Sequence, residues 1–266
     1  MSAPPAPASV PSAEKPAGEA SVRSVERALA LLECFDLDTE SLTLQELAAR
    51  LHLAPSTTLR LASVLTRLGY LEKSRAKAYS LGRRVYLLGA VARAHFRLQK
   101  VVRPHMLAVR DACKEAVSLY GIEGSERVCY EHVESLLSMR CVVRVGDHFP
   151  LWAGSSGKCL LAYADPATVT AELAKLHRIT AATIVEPARF QADLAEIRAR
   201  GGEAISFGER EEGVVSLAVP IFATHDRVSH ALSVAAPATR VDAAIIEHLF
   251  ALIRTAAEAI RRELYP

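Results

Sequence analysis

The chain has no CxxC pair; its five cysteines, Cys34, Cys113, Cys129, Cys141 and Cys159, are odd in number and scattered. That spacing argues against a disulfide framework or a zinc ribbon, which points to a reducing compartment. No stretch approaches the roughly 18 uninterrupted apolar residues of a membrane-spanning helix. The first 20 residues hold five prolines and six alanines, without a periodic apolar pattern, a basic n-region or a long apolar core. They are expected to form a disordered tail and not a secretory signal. His225 and Asp226 fall in a predicted hairpin turn and the other histidines are scattered, so no metal or cofactor is expected. Together these absences describe a cytoplasmic chain away from membranes. Net charge is only +2, and half of the 266 residues are hydrophobic, enough to bury a substantial core.

What is present is concentrated between positions 42 and 79. Leu44, Leu47, Ala48 and Leu51 form one apolar stripe and Leu61, Val64, Leu65 and Leu68 another, both at helical spacing. Only His52, Leu53 and Ala54 lie between them, and Pro55 sits where a first helical position tolerates a missing N–H. Two short helices joined so tightly must cross steeply, as in a helix-turn-helix. At about 100° per residue, Thr57 faces inward while Ser56, Leu59, Ser63 and Arg67 face outward and Arg60 lies on the flank. With Thr58 these form the expected DNA-facing set, since small polar groups and guanidinium suit a major groove. Leu59 reads equally as a contact to a thymine methyl or as an ordinary surface leucine. After Gly69, positions 70 to 81 read as two short strands around a basic tip, a wing carrying Lys73, Arg75 and Lys77. Between positions 60 and 84, seven Lys or Arg residues stand against the single acid Glu72, so positive charge gathers where phosphates would lie.

A DNA-reading unit of this kind needs about 60 to 80 residues, so a second domain is expected. Val25, Ala28, Leu29 and Leu32 share a face of a preceding helix capped by Ser24, which completes a three-helix core within a winged helix-turn-helix domain over 21–83. Residues 84–103 read as one linker helix, with Pro104 as its stop or a restart. Its Val85, Leu88, Val91 and Ala92 exceed what a free spacer needs, so a partner subunit is expected against it. Beyond it, β-rich runs at 117–122, 127–133, 139–145, 214–222 and 228–234 suggest an antiparallel sheet. Helices are expected at 157–163, at 166–176 after an Asp165 cap, at 188–200 before Gly201 and Gly202, and from Asp242 onward. The fold class is α+β, with residues 104–266 as the second domain.

Motifs are distributed through the span 21–263. They begin with Ser24-Val25-Glu26-Arg27, the helix over 44–51, and Ser56-Thr57 followed by Arg60-Leu61. Gly146 with Pro150-Leu151 follows, then Gly157-Lys158-Cys159-Leu160-Leu161-Ala162. The series ends with Glu209 through Gly213 to Ala218-Val219-Pro220 and with Ala231-Leu232-Ser233-Val234. In this order they resemble the IclR-type bacterial transcriptional regulators. The resemblance implies an N-terminal winged helix-turn-helix, a linker helix involved in dimerisation, and a C-terminal GAF-like α/β domain that binds a small effector. It also implies homodimers or dimers of dimers acting on palindromic double-stranded operator DNA. His52 stands where the family commonly has glycine, but histidine tolerates positive φ better than most residues, so the turn is expected to survive. Ala54 departs as a poor helix cap.

Residues 152–158 enter a helix near Gly157, where successive backbone N–H groups are unpaired and a carboxylate fits. The resemblance places effector donors at Ser155 and Ser156, with further walls at Ser206, Glu209, Ser216 and Ser233. Ala235 and Ser206 stand where relatives that bind small keto acids use more polar groups, which implies a larger, less polar, aromatic acid with Trp152 as a stacking surface. The expected protein is a homo-oligomeric repressor or activator, in which an organic acid changes operator affinity or RNA polymerase recruitment. Two rivals stay open. One is a serine hydrolase using Ser155 and Lys158, which satisfy S-x-x-K although no S-D-N or K-T-G partner occurs. The other is an architectural DNA-binding protein whose second domain only dimerises. Neither a G-x-S-x-G elbow nor a phosphate-binding glycine loop fits positions 152–159.

Overall fold

A capping box starts the second helix of the chain: the Thr43 hydroxyl accepts from the Glu46 N–H while the Glu46 carboxylate accepts from the Thr43 N–H at 2.7 Å. This local device belongs to the first of two units, Met1–Phe96 and Arg97–Pro266. The computed structural model describes residues 22–266, so the tail expected over 1–20 lies outside the described residues. In the first unit α1 (Arg23–Leu32), β1 (Leu42–Thr43), α2 (Leu44–Arg50) and α3 (Pro55–Arg67) precede a hairpin of β2 (Leu71–Lys73) and β3 (Ala78–Leu81). The antiparallel sheet runs β1-β3-β2. His52 takes φ 51 in the turn before α3, and Ala54 caps without a side-chain bond, leaving Pro55 at the first helical position.

The inward faces differ from the expected ones. On α3 the buried line is Thr58, Ala62 and Leu65, whereas Val64 and Leu68 are exposed. Small residues fill the close crossing of two short helices, so a stripe weighted by bulk points to the wrong angle. On α1, Leu31 is buried while Val25 and Leu29 are exposed, and Ser24 lies within the helix instead of capping it. The expected single helix over 84–103 is two helices. α4 (Arg83–His95) ends at Phe96, whose φ of −72° and ψ of 98° leave the helical region. α5 (Arg97–Cys113) then runs on with Pro104 inside it.

After α5, the second unit continues with β4 (Ala116–Glu123), β5 (Glu126–Val133), β6 (His148–Pro150), α6 (Ser155–Leu161), α7 (Pro166–Leu173) and α8 (Pro187–Ala199). It ends with β7 (Ala204–Phe207), β8 (Val214–Thr224), β9 (Arg227–Pro237) and α9 (Ala243–Leu264). Six strands form an antiparallel sheet in the order β6-β5-β4-β9-β8-β7. Alternation along β8 sends Val215, Leu217 and Val219 to the face packed by Met106 of α5 and Ile253 of α9. Ala218 on β8 and Ala231 on β9 face the opposite core, with Leu160 of α6 and Phe190 of α8. Small side chains there let α6 approach the sheet closely.

The strand expected over 139–145 is absent as a ladder, because the outer edge of β5 is already paired. Cys129 N donates to Asp147 O and Gly146 N to Cys129 O, and β6 follows. Residues 139–145 instead form an irregular segment with Cys141 and Val143 buried. Strand β7 was missed, being short and preceded by glycines. α6 begins at Ser155, two residues before the expected start, because Gly154 turns the chain at φ 88. Gly157 is needed inside that helix, since a Cβ there would overlap the Leu151 carbonyl.

Candidate functional site

The first unit presents Ser56, Leu59, Arg60, Ser63 and Arg67 as exposed residues of α3. Lys73, Arg75 and Lys77 are exposed on the wing, where Lys77 takes φ 64 at the tip. Thr58 does not join them: it is fully buried and its hydroxyl donates back to Ala54 O at 3.3 Å. These exposed residues are mostly small polar groups and cations, suited to a polyanion.

The second unit holds a partly open cavity of about 40 Å³ between the sheet, the start of α6 and the loop after β7. Of the expected effector residues, Ser156, Ser206, Glu209, Ser216 and Ser233 line it, while Trp152, Ser155 and Gly157 do not. Trp152 is core, packed edge-on against His177 at 4.6 Å between ring centroids. Ser155 Oγ donates to Ser216 Oγ at 2.9 Å, and Ser233 Oγ donates to Leu217 O at 2.8 Å, so these hydroxyl hydrogens are committed within the protein.

The start of α6 is also partly occupied. Gly154 N–H donates to Glu209 Oε2 at 3.1 Å, so the protein's own carboxylate stands where an effector carboxylate was expected. Glu209 Oε1 accepts from Lys158 Nζ, which lies 2.9 Å from Asp193 Oδ2 as well. Lys158 is 1% exposed and fully engaged by these acids. The hydrolase rival fails on the same geometry: Ser155 points its hydroxyl at Ser216 and Lys158 its amine at carboxylates, so neither activates the other.

Sequence reasoning missed Ser118, Tyr120, Arg127, Cys141, Val143 and Arg210, all of which line the cavity. Arg127 is the most consequential. It is 4% exposed, donates through Nη1 to Ser156 Oγ, and keeps a buried Nε without a partner. Its guanidinium carbon lies 5.0 Å from the Tyr120 ring and 5.2 Å from the Phe149 ring. Burial, with the charge of Arg210 adding to it, pushes this guanidinium down to about 10, so it remains a cation at neutral pH. The signal available in sequence was phase: on β5 Arg127 shares the buried alternation with Cys129. Tyr120 is raised by the same burial.

Among the described residues no helix is long and apolar enough to cross a membrane, and no group of three or more His, Cys, Asp or Glu could hold a metal ion. Comparison with known proteins gives two family matches: the IclR helix-turn-helix domain over residues 24–75 and the bacterial transcriptional regulator IclR C-terminal domain over residues 90–262. The HTH-type transcriptional regulator BhcR of Paracoccus denitrificans (strain Pd 1222) is 31% identical over 241 residues, 89% of this chain and 86% of that protein. An IclR transcriptional regulator from Silicibacter sp. TM1040 superposes with a TM-score of 0.83 at 29% identity, covering 90% of this chain and 95% of that one. An IclR homologue from Microbacterium hydrocarbonoxydans, crystallised with 4-hydroxybenzoate, superposes at 0.75 with 28% identity, covering 91% and 98%. With both units matched and the curated relatives named as regulators, this chain belongs to the IclR family of bacterial transcriptional regulators and is not an enzyme.

Proposed function

We propose that the protein is a cytoplasmic, homo-oligomeric regulator that reads operator DNA with α3 and the wing and responds to a small organic acid held in the cavity of the second unit. The observation that carries this reading is the cavity itself, walled by Arg127, Ser156, Ser206, Glu209 and Ser216 inside the family's C-terminal domain. A polar enclosure of this kind, several of whose groups are buried, suits a small polar ligand. The Microbacterium homologue's 4-hydroxybenzoate supports an acid as the class. At about 40 Å³ the cavity has room for a compact acid, whereas an aromatic ring must displace a lining side chain such as Arg210.

Ser56, Leu59, Arg60, Ser63 and Arg67 would meet the major groove, and Lys73, Arg75 and Lys77 the flanking phosphates. α4 supports self-association, because Tyr86, Leu87, Leu88 and Val91 are all exposed on a helix that buries nothing. A second copy of the same helix would cover them and place two heads on a palindrome. The ligand acts by linkage. It changes operator affinity or RNA polymerase recruitment only so far as it favours one arrangement of the oligomer.

Mobility-shift titration on DNA from upstream of the protein's own gene, with and without 4-hydroxybenzoate or pyruvate, tests the proposal. A thermal-shift series with the same acids accompanies it, since a ligand of the folded state raises the melting temperature. A protein that retards no DNA, or whose melting and retardation both ignore the acids, would overturn the reading.

A further inference from the structure

We infer that Arg127 receives the carboxylate of the effector and that this effector is a monocarboxylate; the inference rests on the organic-acid reading above and assigns its chemistry. Each of the other buried charged residues among those described has an ion-pair partner. Glu115 meets Arg240, Glu131 meets Arg103, Glu172 meets Lys175, and Lys158 meets Glu209 and Asp193. Arg127 has none. A guanidinium offers five N–H donors, and here a single hydrogen bond to Ser156 is made while Nε is buried without an acceptor. A buried cation left in this state is costly unless something anionic completes it.

Position makes that something a ligand. Arg127 lines the cavity, and the Tyr120 and Phe149 rings, 6.2 Å apart and inclined at 74°, flank its guanidinium without supplying a counter-charge. The alternative anchor, the start of α6, is partly taken, with its Gly154 N–H on Glu209 and the Ser155 N–H and hydroxyl on Ser216, and it carries no formal charge to set against a carboxylate. A planar carboxylate matches the fork of a guanidinium through two parallel hydrogen bonds.

The remaining wall charges limit the ligand to one carboxylate. Glu209 and Glu211 both line the cavity, and Arg210, its other guanidinium, lies 3.5 Å from Glu211. A second carboxylate on the ligand would meet these acids, and like charges at close quarters disfavour it. Pyruvate therefore suits the site better than succinate, and 4-hydroxybenzoate does so once a lining side chain such as Arg210 has moved aside.

Calorimetric titration and thermal shift of the full-length protein at neutral pH test this with pyruvate, 4-hydroxybenzoate, their carboxamides and succinate as probes. At least one monoacid should bind, its amide about 30-fold or more weaker, and succinate weaker than that acid. Arg127→Met should weaken the acid by about 30-fold or more, whereas its ligand-free melting temperature should stay the same or rise because an uncompensated buried charge has gone. Arg127→Lys, which keeps the charge, should recover part of the affinity. An Arg127→Met protein that binds the acid as wild type does, or amides that bind as well as acids, overturns this inference and leaves an effector in the cavity. A ligand-free Arg127→Met protein that melts far below wild type also overturns it, since the guanidinium would then serve the fold. If wild type binds none of the acids, the organic-acid reading falls and this inference with it.

Discussion

Lys158→Met should destabilise the second unit severely, although methionine fits an apolar core. Lys158 is 1% exposed and its ammonium bridges Glu209 and Asp193, whose side chains are 9% and 22% exposed. Removing it leaves two carboxylates without their cation. Breaking a buried pair from one side costs about 3–5 kcal/mol, and the part exposure of Asp193 lets water take up some of that loss, which places the expectation near the lower figure. For a unit of this size about 3 kcal/mol corresponds to a fall in melting temperature of roughly 6–12 °C. The assay has a built-in reporter: Trp152 is the only tryptophan in the chain and is buried in the same unit, so its fluorescence in urea follows this unfolding and not that of the DNA-binding unit. Adding Glu209→Gln to Lys158→Met removes one stranded charge while keeping an oxygen for Gly154 N–H, and should return at least about 1 kcal/mol. A single variant within about 1 kcal/mol of wild type, or a double variant no better than the single, would refute the charge argument.

Further outcomes follow from the same structure. Arg60→Ala should lower operator affinity most in a mobility-shift titration, while joint removal of Lys73, Arg75 and Lys77 should flatten the log–log salt dependence by roughly 0.9 for each lost phosphate contact; an unchanged slope would remove the wing from the interface. Leu88→Glu with Val91→Glu on α4 should convert a sedimenting dimer into monomer, because charge replaces exposed apolar surface that a second copy would cover. Gly157→Ala should cost the second unit about 2–3 kcal/mol by urea titration, given the overlap of its Cβ with Leu151 O. Gly89→Ala, in open space on α4, should be neutral or stabilising. Burial pushes His230 down to about 4, against about 6.5 in an unfolded chain. The unfolded chain then accepts a proton that the folded one refuses, so stability present above pH 6.5 is lost as pH falls toward 4, by about 2 kcal/mol at pH 5. In a His230→Gln protein that limb of the pH profile should flatten.

The helix-turn-helix was legible because its signals are local: apolar residues at helical spacing, a three-residue turn, Pro55 at a helix start, a basic tip after Gly69. His52 at φ 51 was legible only through the family resemblance, which puts glycine at that position. The angular position of α3 was not. Thr58 and Ala62 face the core because two short helices cross closely there, and only the neighbouring helix reveals how small a residue the contact needs. Residues 139–145 have the alternation of a strand, yet whether a strand forms depends on a free edge, and β5 had given that edge to 146–150.

The cavity divides along the same line. By itself the sequence determined that a loop with Ser155, Ser156 and Gly157 enters a helix and that Ser206, Glu209, Ser216 and Ser233 belong to one domain, since those facts rest on motif order and helical start signals. Only the tertiary structure decided which hydrogen bonds are already made: Glu209 on Gly154, Ser155 on Ser216, Ser233 on Leu217. It alone put Trp152 into the core and Arg127 at the wall between Tyr120 and Phe149. A residue's charge can be read from its letter, but how closely that charge is compensated depends on partners distant in sequence: Lys158 has two carboxylates in ion-pair contact, whereas Arg127 has none that close and a buried Nε without an acceptor.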